Sequence, residues 1–273
     1  MLLPLLIVLA LLSHCDCAKD KERKLRLATT TSVENSGLLD TLLAEFEQEF
    51  AVLVQVTAVG TGRALELASA GDCDLVLVHA PEAEKEFIKT GFGTNREPLM
   101  FNYFLILGPP FDPAGVKEAK TSQEAFLKIA KHKALFISRG DNSGTHIREK
   151  KIWEEAGVKG ERQWYLESGQ AMGPTLLIAD EKNAFTLSDL ATYLSYKKKL
   201  ELVPLYWQHD EILYNPYSII ATNPAKHKGI NHKDALALIN WLTSEEGQRL
   251  IGEYRFNNEA LFHPIRTPKE KGK

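Results

Sequence analysis

The sequence predicts an α/β fold, and three observations support that prediction. Short apolar segments typical of strands alternate along the chain with segments whose apolar residues recur at the 3.6-residue period of a helix. Polar loops that contain Gly, Ser and Thr connect strand to helix in three places. The 273 residues, 44% of them hydrophobic, are enough for one or two domains with sizeable cores. Alternating strands and helices of this kind form sheets covered by helices.

The first third of the chain indicates three strands and two helices. The strand segments either alternate polar and apolar residues or are nearly continuous apolar runs, and the latter are typical of a parallel sheet covered on both faces. The apolar residues of the first helical segment fall on one face. We therefore predict strands at residues 25–28, 52–59 and 74–80, a helix at 36–50 and a second helix that begins at residue 63.

The same alternation resumes after a long connection that starts at Pro109 and Pro110. Near the carboxyl terminus, apolar residues at helical spacing predict one continuous amphipathic helix over residues 234–251. The other predicted strands cover residues 99–108, 134–137 and 217–222, an apolar segment at 184–187 leads into 188–194, and the other predicted helices cover 122–132 and 146–153.

Three loops between strand and helix carry the polar groups of greatest interest: the hydroxyl run at 29–32, Gly-Thr-Gly at 60–62 and a polar loop at 138–145. In open α/β sheets, ligands bind beyond the carboxyl ends of the strands, where helices begin. Helix N-termini carry unpaired N–H groups and a partial positive charge, which suits an oxyanion. Arg139 adds a full charge and a planar set of donors. Each loop alone is also explained as a turn or helix cap, so the anion-site prediction depends on their joint occurrence.

Composition and motif spacing argue against several other functions. The net charge of −3 gives no basic excess for binding nucleic acid. No two His residues have the spacing of a helical metal site, and the Gly-rich phosphate loops of nucleotide-binding proteins are absent from the sequence. Ser143 and His146 lie close in sequence, but no Gly-x-Ser-x-Gly turn surrounds the serine. We therefore expect no enzyme activity, no catalytic residues and no site for a metal cation.

The amino-terminal apolar run, residues 2–12, is shorter than the roughly 18 residues that a membrane-spanning helix needs. It is typical of a cleaved secretory signal, and we predict a signal peptide over residues 1–17. Cys15 is a candidate for lipid modification, but His14 before it does not fit the small residue that such sites prefer. We expect a soluble exported protein, periplasmic or extracytoplasmic, with a lipid anchor as the less favoured alternative.

Several segments match a pattern known from one family of transport proteins. They are residues 28–32, 59–62, 74–81 and 138–146, followed by 215–217 and 244–248. On these segments the chain resembles the tungstate-binding periplasmic component of bacterial ABC transporters, over a span of about residues 25 to 255. The match is most specific in the first and fourth segments and generic in the last.

The resemblance implies a two-lobed periplasmic-binding-protein-like fold. Each lobe would have a mixed, mainly parallel sheet flanked by helices, and two crossover strands would join the lobes. Lobe 1 would combine residues 25–104 and 220–273, and lobe 2 would cover residues 105–219, with the oxyanion between them. Carried over residue by residue, the binding site would consist of Thr30, Thr31, Ser32 and Thr61 from lobe 1 and Arg139, Ser143, Gly144, Thr145 and Ser168 from lobe 2.

The resemblance further implies a monomeric solute-binding protein that captures tungstate, and also molybdate, and delivers it to an ABC transporter permease. The oxyanion is then the ligand, and no cofactor is expected. Two alternatives stay open: a binding protein for another oxyanion, phosphate or sulfate, or an enzyme on the same fold that acts on a small anionic substrate. Phosphate that carries a proton needs a buried carboxylate acceptor, whereas we interpret Asp141 as a cap that organises its loop.

Overall fold

The computed structural model describes residues 23–158, 163–207 and 210–266. The predicted signal peptide, residues 1–17, lies outside the described residues. The strands are β1 Arg23–Thr30, β2 Val52–Val59, β3 Leu75–Val78, β4 Gly93–Gly108, β5 Phe136–Ser138, β6 Tyr165–Glu167, β7 Thr186–Asp189, β8 Val203–Tyr206, β9 Tyr214–Thr222, β10 Arg255–Phe256, β11 Glu259–Ala260 and β12 His263–Pro264. The helices are α1 Thr31–Glu34, α2 Leu38–Phe50, α3 Thr61–Ala70, α4 Pro81–Lys89, α5 Ser122–Lys131, α6 Gly144–Glu155, α7 Met172–Glu181, α8 Leu190–Tyr196, α9 His232–Leu242 and α10 Glu245–Glu253.

Most predicted elements form close to their expected bounds, and the differences have local causes. The helix predicted at 36–50 begins at Leu38, because Gly37 before it adopts a left-handed conformation with φ of 72°. Helix α4 was not predicted from the sequence; it begins with Pro81 in its first turn, a position that proline favours. Helix α7 was not predicted either.

The prediction of one helix over residues 234–251 is wrong, because the helix is interrupted between α9 and α10. Ser244 Oγ donates to the carbonyl of Trp241 at 2.6 Å and accepts from the backbone N–H of Gly247 at 3.3 Å. The serine side chain thereby satisfies groups at the end of one helix and at the start of the next. Residues 243–249 contain no apolar side chain, and the prediction joined the apolar residues on either side of this gap into one helix.

The principal sheet has the strand order β12-β4-β9-β3-β1-β2. Strand β1 is parallel to β2 and β3, whereas β9 is antiparallel to β3 and β4. The second half of β4 also pairs antiparallel with β7 and β8, and β5 with β6 forms a separate parallel pair. The sheets are therefore mixed, as predicted. The expectation that they are mainly parallel is wrong, because the long strands β4 and β9 run antiparallel to every strand with which they pair.

Strand β4 packs against different cores on its two faces. Leu105 and Leu107 belong to the largest apolar cluster, which also includes residues of α2, α7, α8 and α9. Phe104 and Ile106 point to the opposite face and pack in a second cluster with residues of α5 and α6. The largest cluster contains residues of both predicted lobes, so core packing alone draws no boundary between them, and the lobe division stays a prediction.

Most helices of the described chain pack against a sheet. Within residues 23–158, 163–207 and 210–266, no helix is both long enough and apolar enough to cross a membrane.

Candidate oxyanion site

The parallel strands β1 and β2 bring two of the predicted loops together. In their register Thr30, the last residue of β1, pairs with Val59, the last residue of β2. The chain then enters α1 after β1 and α3 after β2, and Thr61 is the first residue of α3. The sheet thus aligns the loops at 29–32 and 60–62, which we call the hydroxyl loops, at one edge.

Most side chains of the hydroxyl loops are buried, and helix capping does not account for them. Thr30 Oγ1 and Ser32 Oγ share a hydrogen bond of 3.1 Å, while Thr31 is half-buried at the start of α1. Within the described chain, the Thr30 side chain makes no cap hydrogen bond to α1, and Gly60 before α3 has no side chain that could make one. Thr61 is 2% exposed, and its Oγ1 has no hydrogen-bond partner in the described part of the chain. Burying a hydroxyl without a hydrogen-bond partner costs free energy of folding, so the burial of Thr61 Oγ1 needs an explanation such as a bound ligand.

The Arg139 loop, residues 139–143, connects β5 to α6 and is anchored by hydrogen bonds of Ser138 at its start. Ser138, the last residue of β5, donates its hydroxyl to Glu149 Oε2 at 2.7 Å. The same hydroxyl accepts from the backbone N–H of Gly140 at 3.2 Å. Gly140 has φ of 65°, a conformation that favours glycine. Hydrogen bonds within the protein therefore define the conformation of the loop.

Arg139 combines a paired and an unpaired end. Its side chain is 10% exposed, and one terminal nitrogen donates to Asp141, whereas Nε has no partner among the described residues. Asp141 Oδ1 accepts from the backbone N–H of Ser143 at 3.1 Å, so Asp141 organises the loop as we expected. Burial raises the pKa of Asp141, but the hydrogen bonds from Ser143 and the charge of Arg139 outweigh it and hold that pKa below its usual range.

Three more predicted site residues form the start of α6. Ser143 Oγ accepts from the backbone N–H of His146 at 3.4 Å, so Ser143 does cap this helix, and Gly144 and Thr145 are its first two residues. All of them are buried. His146 Nδ1 accepts from the backbone N–H of Asn142 at 3.0 Å, and burial lowers the pKa of His146. The neutral ring thereby serves as the acceptor that holds the loop on its helix.

Ser168 is joined to the Arg139 loop mainly through the backbone. Its N–H donates to the carbonyl of Ser138 at 2.8 Å, and the N–H of Gly169 donates to the carbonyl of Arg139 at 2.9 Å. Ser168 Oγ donates to the same Arg139 carbonyl at 3.3 Å and lies 2.8 Å from Thr175 Oγ1. The hydroxyl thus has partners within the protein, and its contacts hold the Arg139 loop in place.

The sequence did not reveal a buried polar network on β3, β4 and β9. His79, which follows β3, stacks on Tyr217 with ring centroids 4.8 Å apart, and its Nδ1 lies 2.9 Å from Asn215 Oδ1. Asn215 Nδ2 donates to Asn102 Oδ1 at 2.7 Å and to the Tyr217 hydroxyl at 3.1 Å, so Asn215 Oδ1 is the acceptor and His79 Nδ1 carries the hydrogen. Burial lowers the pKa of His79, which favours a neutral ring. A histidine directly after a continuous apolar strand was the available signal.

The His79 ring links the start of α6 to the principal sheet. A Cβ atom built on Gly144 would lie 3.0 Å from His79 Cε1, so the start of α6 packs directly against the carboxyl end of β3. Strand β3 is the parallel neighbour of β1, whose end carries the first of the hydroxyl loops, residues 29–32. The start of α6, which follows the Arg139 loop, therefore lies at the same end of the principal sheet as the hydroxyl loops.

The predicted site residues are mainly hydrogen-bond donors. Within the described residues, no group of three or more His, Cys, Asp or Glu side chains is placed to hold a metal ion. Thr61 Oγ1 and Arg139 Nε are buried donors without a partner there. An acceptor with several lone pairs, such as a tetrahedral oxyanion, is the kind of ligand that satisfies such donors.

Comparison with known proteins agrees with this architecture. A family model described as a PBP superfamily domain matches residues 18–246. The chain belongs to the PBP superfamily. Within that superfamily, the chain is 43% identical over 244 residues to a protein of Peptoclostridium acidaminophilum named tungstate-binding protein TupA, with 89% of this chain and 84% of the relative covered.

Two solved structures resemble this PBP-superfamily chain closely. One, described as the tungstate ABC transporter from Geobacter sulfurreducens, is 47% identical with a TM-score of 0.79, and 85% of this chain and 99% of that chain are covered. The other, the tungstate-binding protein TupA from Desulfovibrio alaskensis G20, is 42% identical with a TM-score of 0.79, covering 90% of this chain and 100% of that chain. The names of these relatives describe binding and transport proteins rather than enzymes.

Proposed function

We propose that this chain is a solute-binding protein that captures tungstate, and also molybdate, between two lobes and presents it to an ABC transporter permease. The observation that carries the proposal is the pair of buried donors without partners in the described chain, Thr61 Oγ1 and Arg139 Nε, each at a junction between a strand and a helix. The relatives named for tungstate binding support the choice of anion.

The proposed site uses hydroxyls, helix N-termini and one full charge. A hydrogen bond to a charged group contributes about 1.5 to 3 kcal/mol, so six or seven converging donors offset much of the cost of removing a small dianion from water. Arg139 supplies the charge, and the N-termini of α3 and α6 supply backbone donors. The proposed ligand-binding residues are Thr30, Thr31, Ser32 and Thr61 on one side and Arg139, Ser143, Gly144, Thr145 and Ser168 on the other.

Binding by groups from both sides favours the closed form. The donors of residues 25–104 with 220–273 and those of residues 105–219 reach one anion together only when the cleft is shut. An anion that binds the closed form better therefore shifts the population towards it by its differential affinity. The closed, loaded protein is then the form that a permease recognises.

The donor set favours a fully deprotonated anion. Phosphate carries a proton at neutral pH and needs an acceptor, but the carboxylate of the Arg139 loop, Asp141, is already paired with Arg139 and with the backbone of Ser143. Tungstate, molybdate and sulfate need only donors and differ mainly in radius. Selectivity among these three would thus follow from the size of the closed cavity.

Location and assembly complete the proposal. Residues 1–17 would direct export, after which the protein would work as a monomer outside the cytoplasm, beside its permease and without nucleic acid. The apolar run at residues 2–12 and the resemblance to ABC transporter components support this placement.

The test is calorimetric titration of the exported form, residues 18–273, with tungstate, molybdate, sulfate and phosphate in turn at one pH and salt concentration. We expect tight one-to-one binding of tungstate and molybdate, with sulfate and phosphate ineffective. Tight binding of phosphate or sulfate instead would identify that anion, rather than tungstate, as the ligand. Silence with all four anions would overturn the carrier function and favour an enzyme that acts on a small anionic substrate.

A further inference from the structure

Gly144 occupies a position that glycine does not favour by conformation. It is the first residue of α6, and its φ lies outside the left-handed region in which glycine is preferred. Glycine is also among the poorer helix formers. Its presence at the start of α6 therefore needs another explanation.

Crowding against His79 supplies that explanation. A Cβ on Gly144 would lie 3.0 Å from His79 Cε1 and 3.3 Å from each ring nitrogen. By contrast, a Cβ on Gly60 or Gly62, at the start of α3, would meet no atom within 4 Å in the described part of the chain. The close approach is thus a feature of α6 and the His79 ring that the start of α3 does not share.

The His79 ring is held in position by its neighbours. One ring nitrogen is tied to Asn215 Oδ1 at 2.9 Å, and one ring face stacks on Tyr217. Asn215 is itself held by Asn102 at 2.7 Å, and all four side chains are buried. These contacts fix the position of the ring at the carboxyl end of β3.

We propose that His79 sets how closely the start of α6 approaches the hydroxyl loops, and thereby the size of the anion cavity. The proposal rests on the proposed function and makes His79 a positioning residue that determines specificity. Donor and acceptor atoms must lie about 2.7–3.2 Å apart for a good hydrogen bond, and the bond weakens beyond that. A fixed spacing between the two groups of donors therefore selects tetrahedral anions by radius.

The test combines single and double variants and measures affinities for tungstate, molybdate and sulfate. We expect Gly144→Ala to weaken tungstate binding at least about tenfold, because the new methyl group meets His79 and holds the donors apart. Adding His79→Ala to Gly144→Ala should restore most of that loss. His79→Ala alone should shift the preference towards sulfate, the smaller anion, by about fivefold or more, because the lobes can close further.

A matched control is Gly252→Ala in α10. Its new Cβ would lie 3.3 Å from Pro264, so it introduces similar crowding in a helix that carries no proposed ligand residue. We expect its affinities to equal those of the parent protein. Thermal unfolding of every variant checks the fold, and His79→Asn replaces His79→Ala if the latter does not fold.

The outcomes separate this inference from the proposed function. If the parent protein does not bind tungstate, the proposed function fails, whatever the variants do. If the parent binds tungstate and Gly144→Ala binds it equally well, the spacing role of His79 is overturned. A double variant no better than Gly144→Ala overturns it too, as does an unchanged tungstate-to-sulfate ratio in His79→Ala.

Discussion

The hydroxyl loops and the Arg139 loop both carry predicted donors for the anion, but they are held in different ways. The hydroxyl loops depend on sheet register, and Thr61 has no internal partner in the described chain. The Arg139 loop is tied by side-chain hydrogen bonds from Ser138 to Glu149, from Ser143 to Asp141 and from Asn142 to His146.

The difference follows from the length of the side chains. A threonine hydroxyl is attached to Cβ, so the backbone at a strand end or helix start already restricts its position. An arginine has several rotatable bonds and about 2 kcal/mol of rotamer entropy, so its charge is placed reliably only when its surroundings constrain it. A short donor such as Thr61 Oγ1 can thus keep its position without a partner in the described chain, whereas the long Arg139 side chain needs an anchored loop and a partner such as Asp141.

Glu149 is the deepest anchor of the Arg139 loop. It is 1% exposed and accepts from the hydroxyl of Ser138 at 2.7 Å, from Trp153 Nε1 at 3.2 Å and from the Tyr165 hydroxyl at 2.8 Å. Burial and the charge of Glu149 raise the pKa of Tyr165. A buried carboxylate with several donors is stable only while the donors stay in place, which rigidifies the loop above it.

The largest effect should come from the charged side of the comparison. Arg139→Ala removes the single full charge of the proposed site, and we expect tungstate affinity to fall by about 100-fold or more, since truncating one partner of a buried charge pair costs about 2–5 kcal/mol. Calorimetry measures the loss. Arg63→Ala removes an exposed arginine in α3 that pairs with Glu66 and should leave the affinity unchanged. Equal affinity in Arg139→Ala would remove Arg139 from the site.

The next effect tests the unsatisfied hydroxyl. Thr61→Val keeps the shape but removes a donor, so we expect tungstate affinity to fall about tenfold or more. Without anion, the variant should unfold at the same or a higher temperature, because a buried hydroxyl without a partner is gone.

The control for Thr61 is a buried threonine that does have a partner. Thr222 Oγ1 donates to the carbonyl of Cys73 at 2.9 Å, so Thr222→Val should lower the unfolding temperature and leave the affinity unchanged. If Thr61→Val behaves like Thr222→Val, then Thr61 is structural and the comparison between the two groups of loops loses its basis.

A smaller effect should come from the temporary partner of Arg139. Asp141→Asn retains an oxygen that accepts from Ser143 but removes the negative charge that competes for the guanidinium. Because partly exposed ion pairs contribute about 0–1 kcal/mol, we expect tungstate affinity to rise by about threefold. Titration at low salt gives the largest difference. A marked fall in affinity would mean that Asp141 assists the anion rather than competing with it.

The smallest effect concerns acid. The pKa of His146 is lowered on folding, so the unfolded chain binds more protons once the pH falls below about 6.5, and stability is lost as the pH falls further. Protonation also removes the acceptor for Asn142, which should loosen the Arg139 loop before the hydroxyl loops. Unfolding temperatures measured without anion at pH 7.5 and 5.5 should differ less in His146→Gln than in the parent. Equal differences would contradict this.

Much of the fold was predictable because local periodicity carries it. The strand predicted at 52–59 has the observed bounds, and the helix predicted at 122–132 ends one residue early. The break between α9 and α10 was missed because the prediction joined apolar residues across the polar segment 243–249, where Ser244 caps the second helix.

The candidate site was predictable in part, for a related reason. The residues flanking Thr61 and Arg139 place each loop between a strand and a helix, which is a local property of the sequence. That Thr61 Oγ1 and Arg139 Nε are buried without partners in the described chain depends on distant segments. The assignment of the nine proposed ligand residues to one anion stays a prediction, and titration of the variants tests it.

The sequence by itself determined the α/β class, the family and the loops that carry the donors, because residue spacing and helix-start chemistry act over a few residues. Only the tertiary structure decided that His79, joined to Asn215 on a strand far along the chain, stands against Gly144. The physical reason is that steric contact and burial depend on which segments meet. No local pattern encodes that glycine at the start of α6 is required by a histidine 65 positions earlier.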